Sequence, residues 1–215
     1  SGDDDAIVDV CKDLRLPLVL VDREINSIAV DLIEVDHAAG GDLATAHLLA
    51  MGHARVACIV GPADLRPSQQ REAGWRRALT RVGVTPRADE IVRGDFGPES
   101  GAAAMRRLLK SAQPPTAVFV CNDMMAIGAL HAAHEAGIDV PRQLSVVGFD
   151  DIELAAYTSP PLTTVAQPKE AIGTGAAGLL LERLRDGRTA PRRAILQPEL
   201  HLRASTAAPR KLEVS

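Results

Sequence analysis

The sequence lacks four features that would each decide its class: a long apolar run, a surplus of positive charge, a cysteine framework and an export signal. No apolar run in the 215 residues approaches the roughly 18 to 20 residues of a membrane-spanning helix. Lysine and arginine number 24 against 28 aspartates and glutamates, a net charge of -4. Such a chain is a poor electrostatic partner for nucleic-acid phosphates. The composition, 46% hydrophobic and 24% charged, excludes a disordered chain, a collagen and a coiled coil.

The cysteines and the first residues indicate a cellular compartment. Cys11, Cys58 and Cys121 are odd in number, widely spaced and set in apolar segments. This pattern predicts reduced core residues in a cytosolic protein, not a disulfide framework or a zinc knuckle. The opening SGDDDAIVDV has neither the basic nor the apolar segment of an export signal. We therefore expect a cytoplasmic protein that contacts no membrane.

Short apolar runs alternate with amphipathic stretches, a pattern typical of βα units and a parallel sheet. In the first predicted helix the spacing places Leu43 and Leu49 on the inward face. Strands are predicted at 18–21, 32–35, 55–60, 90–92, 117–120, 144–149 and 200–203, with a crossing segment at 165–168. Helices are predicted at 39–51, 69–82, 98–109, 124–136 and 171–185.

Polar side chains come directly after several predicted strands. Ligands of open parallel sheets bind outside the carboxyl ends of the strands, so these side chains are the site candidates. Carboxylates, an amide and a guanidinium can form paired hydrogen bonds with a small polyol or a sugar. The rule selects Asp22, Arg23, Asp36, Arg71, Asn122, Asp123 and Asp150.

Two other motifs have plainer interpretations. Residues 173–178 spell G-x-G-x-x-G, but they follow a helix start instead of a strand, which predicts close helix packing and no dinucleotide site. His131 and His134 share a helix without a third ligand in view, so we expect them to face solvent and predict no metal. No serine, histidine and aspartate set or cysteine and histidine set has the surroundings of a nucleophile. The sequence predicts no catalytic residue and no cofactor.

Some individual residues allow two interpretations. Adjacent side chains at a strand end point in different directions, so Asp150 and Asp151 cannot form a facing acid–base pair. We expect one to bind ligand or cap a helix and the other to face solvent. Phe96 is either a core residue or a stacking face for a ring, and Trp75 is either core or interface.

A series of ordered motifs resembles the LacI/GalR family of bacterial transcription regulators. The match runs from about residue 17 to residue 205. The motifs are MGH at 51–53, VGP at 60–62, REAGW at 71–75, GDF at 94–96, ESG at 99–101, PTA at 115–117, NDMMAIGA at 122–129, PRQLSVVGFDD at 141–151, PLTTV at 161–165 and QP at 167–168.

The resemblance implies an α/β effector domain of the type I periplasmic-binding-protein-like fold, with parallel sheets flanked by helices. Its two lobes would be joined by crossings near Asp36, Gln167 and Pro198. The N-terminal lobe would hold 1–36 and 168–198, and the C-terminal lobe 37–166 and 199–208, with a tail at 209–215. It also implies that the first lobe is incomplete and that a helix-turn-helix headpiece is absent from this chain.

The resemblance also assigns site residues by position. In sugar-responsive relatives the matching positions contact the ligand or line the cleft, and one lies at a crossing. The ligand-contacting matches are Arg71, Asn122, Asp150 and Gln167; the cleft-lining matches are Asp22 and Phe96; Asp36 serves ligand or hinge.

Three departures from the family pattern bear on the effector. Arg23 stands where several relatives carry an aromatic platform, and Leu65 and Pro67 stand where purine-responsive relatives are polar. These departures favour a pentose, a hexose or a sugar acid over a purine. Arg23, taken as ligand-binding, could join Arg71 in holding a carboxylate or a phosphate.

The function that this resemblance implies is that of a homodimeric repressor, not an enzyme, with the C-terminal lobe supplying most of the dimer contact. A small effector between the lobes would change how the headpieces sit on a palindromic operator. One alternative is a periplasmic sugar receptor of a transporter, against which the start of the chain and the cysteines argue. Another is a nucleotide-dependent dehydrogenase, against which the position of the glycine motif argues.

Overall fold

The computed structural model describes Val10, residues 17–25 and residues 28–209, and the chain divides into two compact units. The first unit comprises the described residues up to Asp36 together with Pro168–Gln197. The second unit comprises His37–Gln167 and the described residues from Pro198 onward. The expected lobes left Gln167 unassigned and put Pro198 in the first lobe, whereas here both belong to the second unit.

The elements alternate between strand and helix along most of the chain. In order they are β1 (Val19–Val21), β2 (Asp31–Val35), α1 (His37–Ala50), β3 (Val56–Val60), α2 (Arg66–Arg81), β4 (Ile91–Arg93), α3 (Pro98–Leu109), β5 (Ala117–Val120), α4 (Asp123–Glu135), β6 (Ser145–Asp150), β7 (Thr163–Ala166), α5 (Lys169–Asp186), β8 (Arg193–Leu196) and β9 (Glu199–His201), with 3₁₀ turns at Ala88–Glu90 and Glu153–Tyr157.

The first unit contains a parallel sheet in the order β1-β2-β8, with α5 packed on β1 and β2. Asp31, at the start of β2, is fully buried and forms ion pairs with Arg183 and Arg188, each at 2.7 Å. Burial would raise the pKa of the Asp31 carboxyl, but hydrogen bonds from Arg188 and Arg183 hold it well below its usual range. The pairs fasten the end of α5 to β2.

The second unit contains a six-stranded sheet in the order β4-β3-β5-β6-β7-β9, in which only β9 runs antiparallel to its neighbour. Two helix pairs, α1 with α2 and α3 with α4, pack on it. The predicted α/β architecture of parallel sheets flanked by helices is confirmed. The largest fully buried side chains of the second unit include Trp75, Phe119, Phe149, Leu48, Met105, Met125, Leu144 and Leu162.

Small residues set the closest helix contacts, and they overturn one prediction. Leu43, expected to face inward on α1, is 40% exposed, and the buried face instead carries Gly41, Ala44 and Leu48. A Cβ at Gly41 would lie 2.2 Å from the carbonyl oxygen of Arg71. The glycine therefore lets α1 approach the α2 backbone directly, and this contact decides which face is buried.

The secondary structure differs from the predicted pattern mainly near the ends of strands. The first half of the segment predicted as a crossing at 165–168 belongs to the strand β7, whereas its second half is where the chain passes from the second unit to the first. The strand β8 was not predicted. Cys58 and Cys121 are buried and free, as expected, while Cys11 lies outside the described residues. None of the described helices is long and apolar enough to span a membrane.

The segment after β9 is attached at the amino-terminal edge of the second unit's sheet. The buried imidazole of His53 hydrogen-bonds Thr116 at 2.9 Å, Ser145 at 3.1 Å and the Ala207 carbonyl at 2.9 Å. Burial lowers the pKa of His53 below its usual value. The opposite, carboxyl-terminal edge carries the polar residues described next.

Candidate functional site

The predicted residues of the second unit gather where β3, β5, β6 and β7 end. Arg71 lies on α2, which follows β3, and Asn122 follows β5. Asp150 is the last residue of β6, and Gln167 comes directly after β7. Because these strands are parallel, their carboxyl ends lie at one edge of the sheet.

The guanidinium of Arg71 is buried and held from several sides. It lies 3.8 Å from the centroid of the Phe149 ring and 3.1 Å from Oδ1 of Asp150. Its Nε donates to Nδ1 of His37 at 3.3 Å, and Nη1 donates to the carbonyl of Cys121. A planar guanidinium that is stacked and hydrogen-bonded in this way presents its remaining donors in a fixed direction.

Asp150 links Arg71 to Gln167. Its Oδ1 accepts from Nε2 of Gln167 at 2.7 Å as well as facing Arg71, and its side chain is 24% exposed. The Asp150 φ of 109° lies in the region that favours glycine. Strain of about 1 to 3 kcal/mol at such a residue persists only where the surroundings enforce it. Arg71, Asp150 and Gln167 therefore form one preorganised polar cluster, which we call the 71/150/167 cluster.

Asp151 differs from the expectation that the second aspartate faces solvent. Its carboxylate is only 18% exposed and accepts from Arg203 at 2.6 Å, while Nδ1 of His201 lies 2.8 Å away. Burial would raise the pKa of Asp151, but hydrogen bonds from Arg203 and His201 hold it below its usual value. The Asp151 φ of 49° is also left-handed, so two consecutive non-glycine residues share this conformation.

Asp123, the first residue of α4, is fully buried beneath this turn. It accepts from Oγ1 of Thr164 at 2.6 Å and from the backbone N–H of Ile152 at 2.9 Å. Burial raises the pKa of Asp123 to about 6, and the nearby charges of Asp150 and Asp151 act in the same direction. The residue supports the turn from below and does not offer its carboxylate to solvent.

Asn122 connects α4 to Phe96. Its Oδ1 accepts the N–H of Met125 at 3.0 Å and so caps α4, and its Nδ2 donates to the Phe96 carbonyl at 3.0 Å. The Phe96 ring packs on the core and against Gly61, where a Cβ would lie 2.2 Å from the ring. Of the two interpretations of Phe96, its packing matches the core residue.

The remaining predicted residues belong to the first unit. Oδ1 of Asp22 accepts the N–H of Val35 at 2.8 Å, and the Asp22 φ is 51°, so its side chain closes the end of β1 against β2. Arg23 follows in the exposed loop. The N–H of Asp36, the last residue of this unit's first segment, donates to the Leu196 carbonyl at 2.9 Å.

Sequence reasoning missed two neighbours of Arg71, His37 and Phe149. The two rings lie 5.7 Å apart, and both are buried. For His37 one signal was available, because it follows Asp36 at an expected crossing. Phe149 reads as an ordinary core residue of a buried strand.

The structure places the glycine motif and the His131 and His134 pair as follows. Within residues 17–25 and 28–209, no three histidine, cysteine or carboxylate side chains are placed to hold a metal ion. The glycine motif lies inside α5, where a Cβ at Gly175 would come 2.5 Å from Ile33. Gly175 thus allows close packing, whereas Gly173 and Gly178 face open space. His131 and His134 are exposed.

Comparison with known proteins gives the class of this domain. Residues 45–206 match the periplasmic binding protein-like domain family. The ribose operon repressor of Escherichia coli (strain K12) is 41% identical over 190 residues, which are 88% of this chain and 58% of the repressor. The HTH-type transcriptional repressor PurR of Aliivibrio salmonicida is 38% identical over 194 residues, 90% of this chain and 58% of that protein.

Solved structures give the same result. A LacI family transcriptional regulator from Enterococcus faecium with bound ribose has a TM-score of 0.86 at 30% identity, covering 96% of this chain and 76% of that one. A transcriptional regulator CelR–cellobiose complex has a TM-score of 0.84 at 36% identity, covering 91% of this chain and 60% of that one. The chain belongs to the LacI family of transcriptional regulators. It spans 58% of the length of the ribose operon repressor.

Proposed function

We propose that this chain is the effector-binding part of a transcription repressor, and that the effector is a neutral sugar bound at the 71/150/167 cluster. The observation that carries the proposal is the contact of Asp150 with both Arg71 and Gln167 at the carboxyl edge of the sheet. Asn122, Asp22, Arg23 and Asp36 are proposed as further parts of the binding surface of their own units, whereas Phe96 is taken as a core residue.

The charge balance of the cluster favours a neutral ligand. The carboxylate of Asp150 already neutralises the guanidinium of Arg71. Vicinal hydroxyls can donate to Asp150 and accept from Arg71 or Gln167, so a sugar uses both kinds of group. A phosphate or a carboxylate would instead meet the charge of Asp150. The earlier idea that Arg71 holds an acidic effector is therefore disfavoured.

The relatives support a sugar but leave a second candidate. The ribose operon repressor and the regulator with bound ribose support a pentose, and the cellobiose complex supports sugars more generally. The PurR relatives support a purine. Leu65, an apolar and exposed side chain at the start of α2, favours the sugar, as does Pro67 at the same helix end.

The proposed repressor is cytoplasmic, has no enzymatic activity and contacts operator DNA through a headpiece outside this chain. The names of the curated relatives, which are HTH-type or operon repressors, support this assignment. The buried free thiols of Cys58 and Cys121 are compatible with a reducing compartment. The periplasmic receptor is disfavoured because these relatives are repressors.

We also propose that the second unit forms the main homodimer contact. Met124, Leu154 and Tyr157 leave 37%, 57% and 77% of their surfaces exposed. Leu154 and Tyr157 line a surface groove together with Ile127 of α4. We call the surface formed by Met124, Ile127, Leu154 and Tyr157 the α4 face. A palindromic operator requires a two-fold symmetric protein, and exposed apolar patches of this kind mark association sites. Trp75, the other interface candidate, is fully buried core.

Calorimetric titration with D-ribose, cellobiose and a purine base tests the effector. We expect saturable binding of a sugar that is lost in Asp150→Asn and kept in Asp139→Asn. Asp139 is a matched control because it also pairs with an arginine, Arg142, at 2.7 Å. Binding of the purine base alone would replace the sugar assignment.

A further inference from the structure

The turn at Asp150 and Asp151 is held by contacts from three sides. Asp123 accepts the N–H of Ile152 at 2.9 Å from below. Arg203 and His201 contact the Asp151 carboxylate at 2.6 Å and 2.8 Å. On the other side, Asp150 meets the cluster residues described above. Two successive left-handed aspartates persist because these contacts outweigh the local backbone cost.

The two aspartates contact different ends of the second unit. Asp150 accepts from Gln167, the last residue before the chain leaves this unit. Asp151 contacts His201 in β9, the strand that begins directly after the chain returns at Pro198. In addition, Arg71 donates to His37, the first residue of the unit. Each passage of the chain into or out of this unit therefore has a hydrogen-bonded link either to the cluster or to Asp151, the residue next to it.

We propose that Asp151 is a positioning residue for effector recognition, which holds the 150–151 turn through Arg203 and His201 so that Asp150 presents its carboxylate to the sugar. The proposal rests on the proposed function, because Asp150 is taken as the residue that contacts the effector. Asp151 itself does not touch the ligand. The proposal also implies that the Asp151 carboxylate fixes β9 to the effector site.

The physical reason is the strain of the turn. Without its ion pair, Asp151 no longer holds a left-handed backbone against the preference of a non-glycine residue. The chain then relaxes toward an ordinary strand end, and the direction of the neighbouring Asp150 side chain changes. Recognition by paired hydrogen bonds tolerates little displacement, so affinity falls although every contacting residue is still present.

The first arm of the test measures D-ribose affinity by calorimetry on the 215-residue chain. We expect Asp151→Ala and Arg203→Leu each to weaken binding about tenfold, since members of one hydrogen-bond network are energetically coupled. The double variant should bind no more weakly than either single variant. Asp151→Asn, which keeps the volume and loses the charge, should fall between wild type and Asp151→Ala. The matched control Asp139→Ala should bind as wild type.

The second arm needs no ligand and separates this inference from the sugar assignment. Amide hydrogen exchange should quicken at Asp151, Ile152 and β9 in Asp151→Ala, and stay unchanged there in Asp139→Ala. Unchanged exchange at the turn would overturn the positioning role, even if ribose affinity fell, because Asp151 would then act by direct contact. Unchanged affinity in Asp151→Ala alongside a loss in Asp150→Asn would overturn it too and leave the proposed function intact. If wild type binds no sugar, the proposed function fails, and the exchange result alone decides whether Asp151 holds the turn.

Discussion

At the residue scale, the proposed site depends on the buried guanidinium of Arg71, which contacts His37, Cys121, Phe149 and Asp150 of the second unit. Arg71 forms an ion pair with Asp150. Removing either residue leaves the charge of the other without its partner. The cost therefore exceeds that of an exposed ion pair. For the same reason, we expect substitutions of Arg71 and Asp150 to weaken effector binding more than a substitution of Gln167.

We expect Arg71→Ala and Asp150→Ala each to weaken sugar binding by about 2 to 5 kcal/mol. Calorimetry with the identified effector measures this loss. Arg106→Ala removes an exposed arginine paired with Glu135 at 2.7 Å and should leave the affinity unchanged. Affinities within twofold of wild type for the two cluster variants would contradict the assignment.

Asp123 predicts a pH dependence of stability. Its folded pKa of about 6 lies above the ordinary 3.8, so the folded protein binds the proton more tightly than the unfolded chain does. The stabilisation is fully present below about pH 4 and is lost as the pH rises through about 6. The free energy of unfolding of Asp123→Asn relative to wild type should therefore rise by about 2 to 2.5 kcal/mol between pH 4 and pH 7.5. Urea unfolding at both pH values measures it, and a flat difference would contradict the prediction.

The strand-end rule found Asn122 and Asp150 because they lie at or just after the ends of their strands, and it found Arg71 because this residue lies on the helix that follows β3. The rule could not find the residues that hold the Asp151 carboxylate. His201 at the end of β9 and Arg203 just after it lie about 50 residues further along the chain. Nothing in the local sequence indicates that β9 returns antiparallel beside β7. Partners of this kind require the sheet order, which single-sequence patterns do not contain.

At the scale of elements, the parallel sheet was predictable and the helix faces were less so. Buried strands such as Ala117–Val120 are short continuous apolar runs, which their length and the turn residues beside them identify well. The predicted inward face of α1 was wrong because the prediction rested on large apolar residues such as Leu43, whereas glycines make the contact with α2. The strand β8 escaped because its residues are alternately exposed and only half-buried.

The closely packed helix pairs predict which glycine-to-alanine substitutions destabilise the protein. A Cβ at Gly128 would lie 1.8 Å from the carbonyl oxygen of Pro98, so Gly128→Ala should push α3 and α4 apart and cost about 1 to 3 kcal/mol. Gly178→Ala lies in α5 with no atom within 4 Å of the added carbon. It should stabilise the protein by up to about 1 kcal/mol. Thermal unfolding of both variants checks the contrast, and equal effects would contradict it.

At the scale of the whole molecule, we expect association to depend on the α4 face. Tyr157→Glu should convert the proposed dimer of 22.8 kDa chains into a monomer, because a carboxylate would be buried in an apolar contact. Val82→Glu, at a residue 56% exposed beyond the end of α2, should leave the dimer intact. Light scattering at micromolar concentration distinguishes the two. A monomeric wild-type chain would contradict the assignment of the contact.

The charge distribution predicts that this chain does not bind operator DNA specifically by itself. Its net charge is -4, and its arginine pairs are separated from one another along the chain. Fluorescence anisotropy with the full-length protein's operator at about 100 mM salt should show no sequence-specific binding. Specific binding that falls steeply with added salt would contradict the assignment of DNA contact to the headpiece. The arginines already engage acidic partners, as in Arg76–Glu72, Arg106–Glu135, Arg192–Glu182 and Arg193–Glu34.

The division of the second unit into two stretches of chain has a consequence for biosynthesis. Because Pro168–Gln197 belongs to the first unit, β9 leaves the ribosome only after that whole segment has been made. Until then β7 is an open sheet edge, exposed to pairing with other nascent chains. The partners of Asp151, His201 and Arg203, are made together with β9 or just after it. The proposed effector site can therefore be completed only after the chain has been synthesised through the whole of the first unit's second segment.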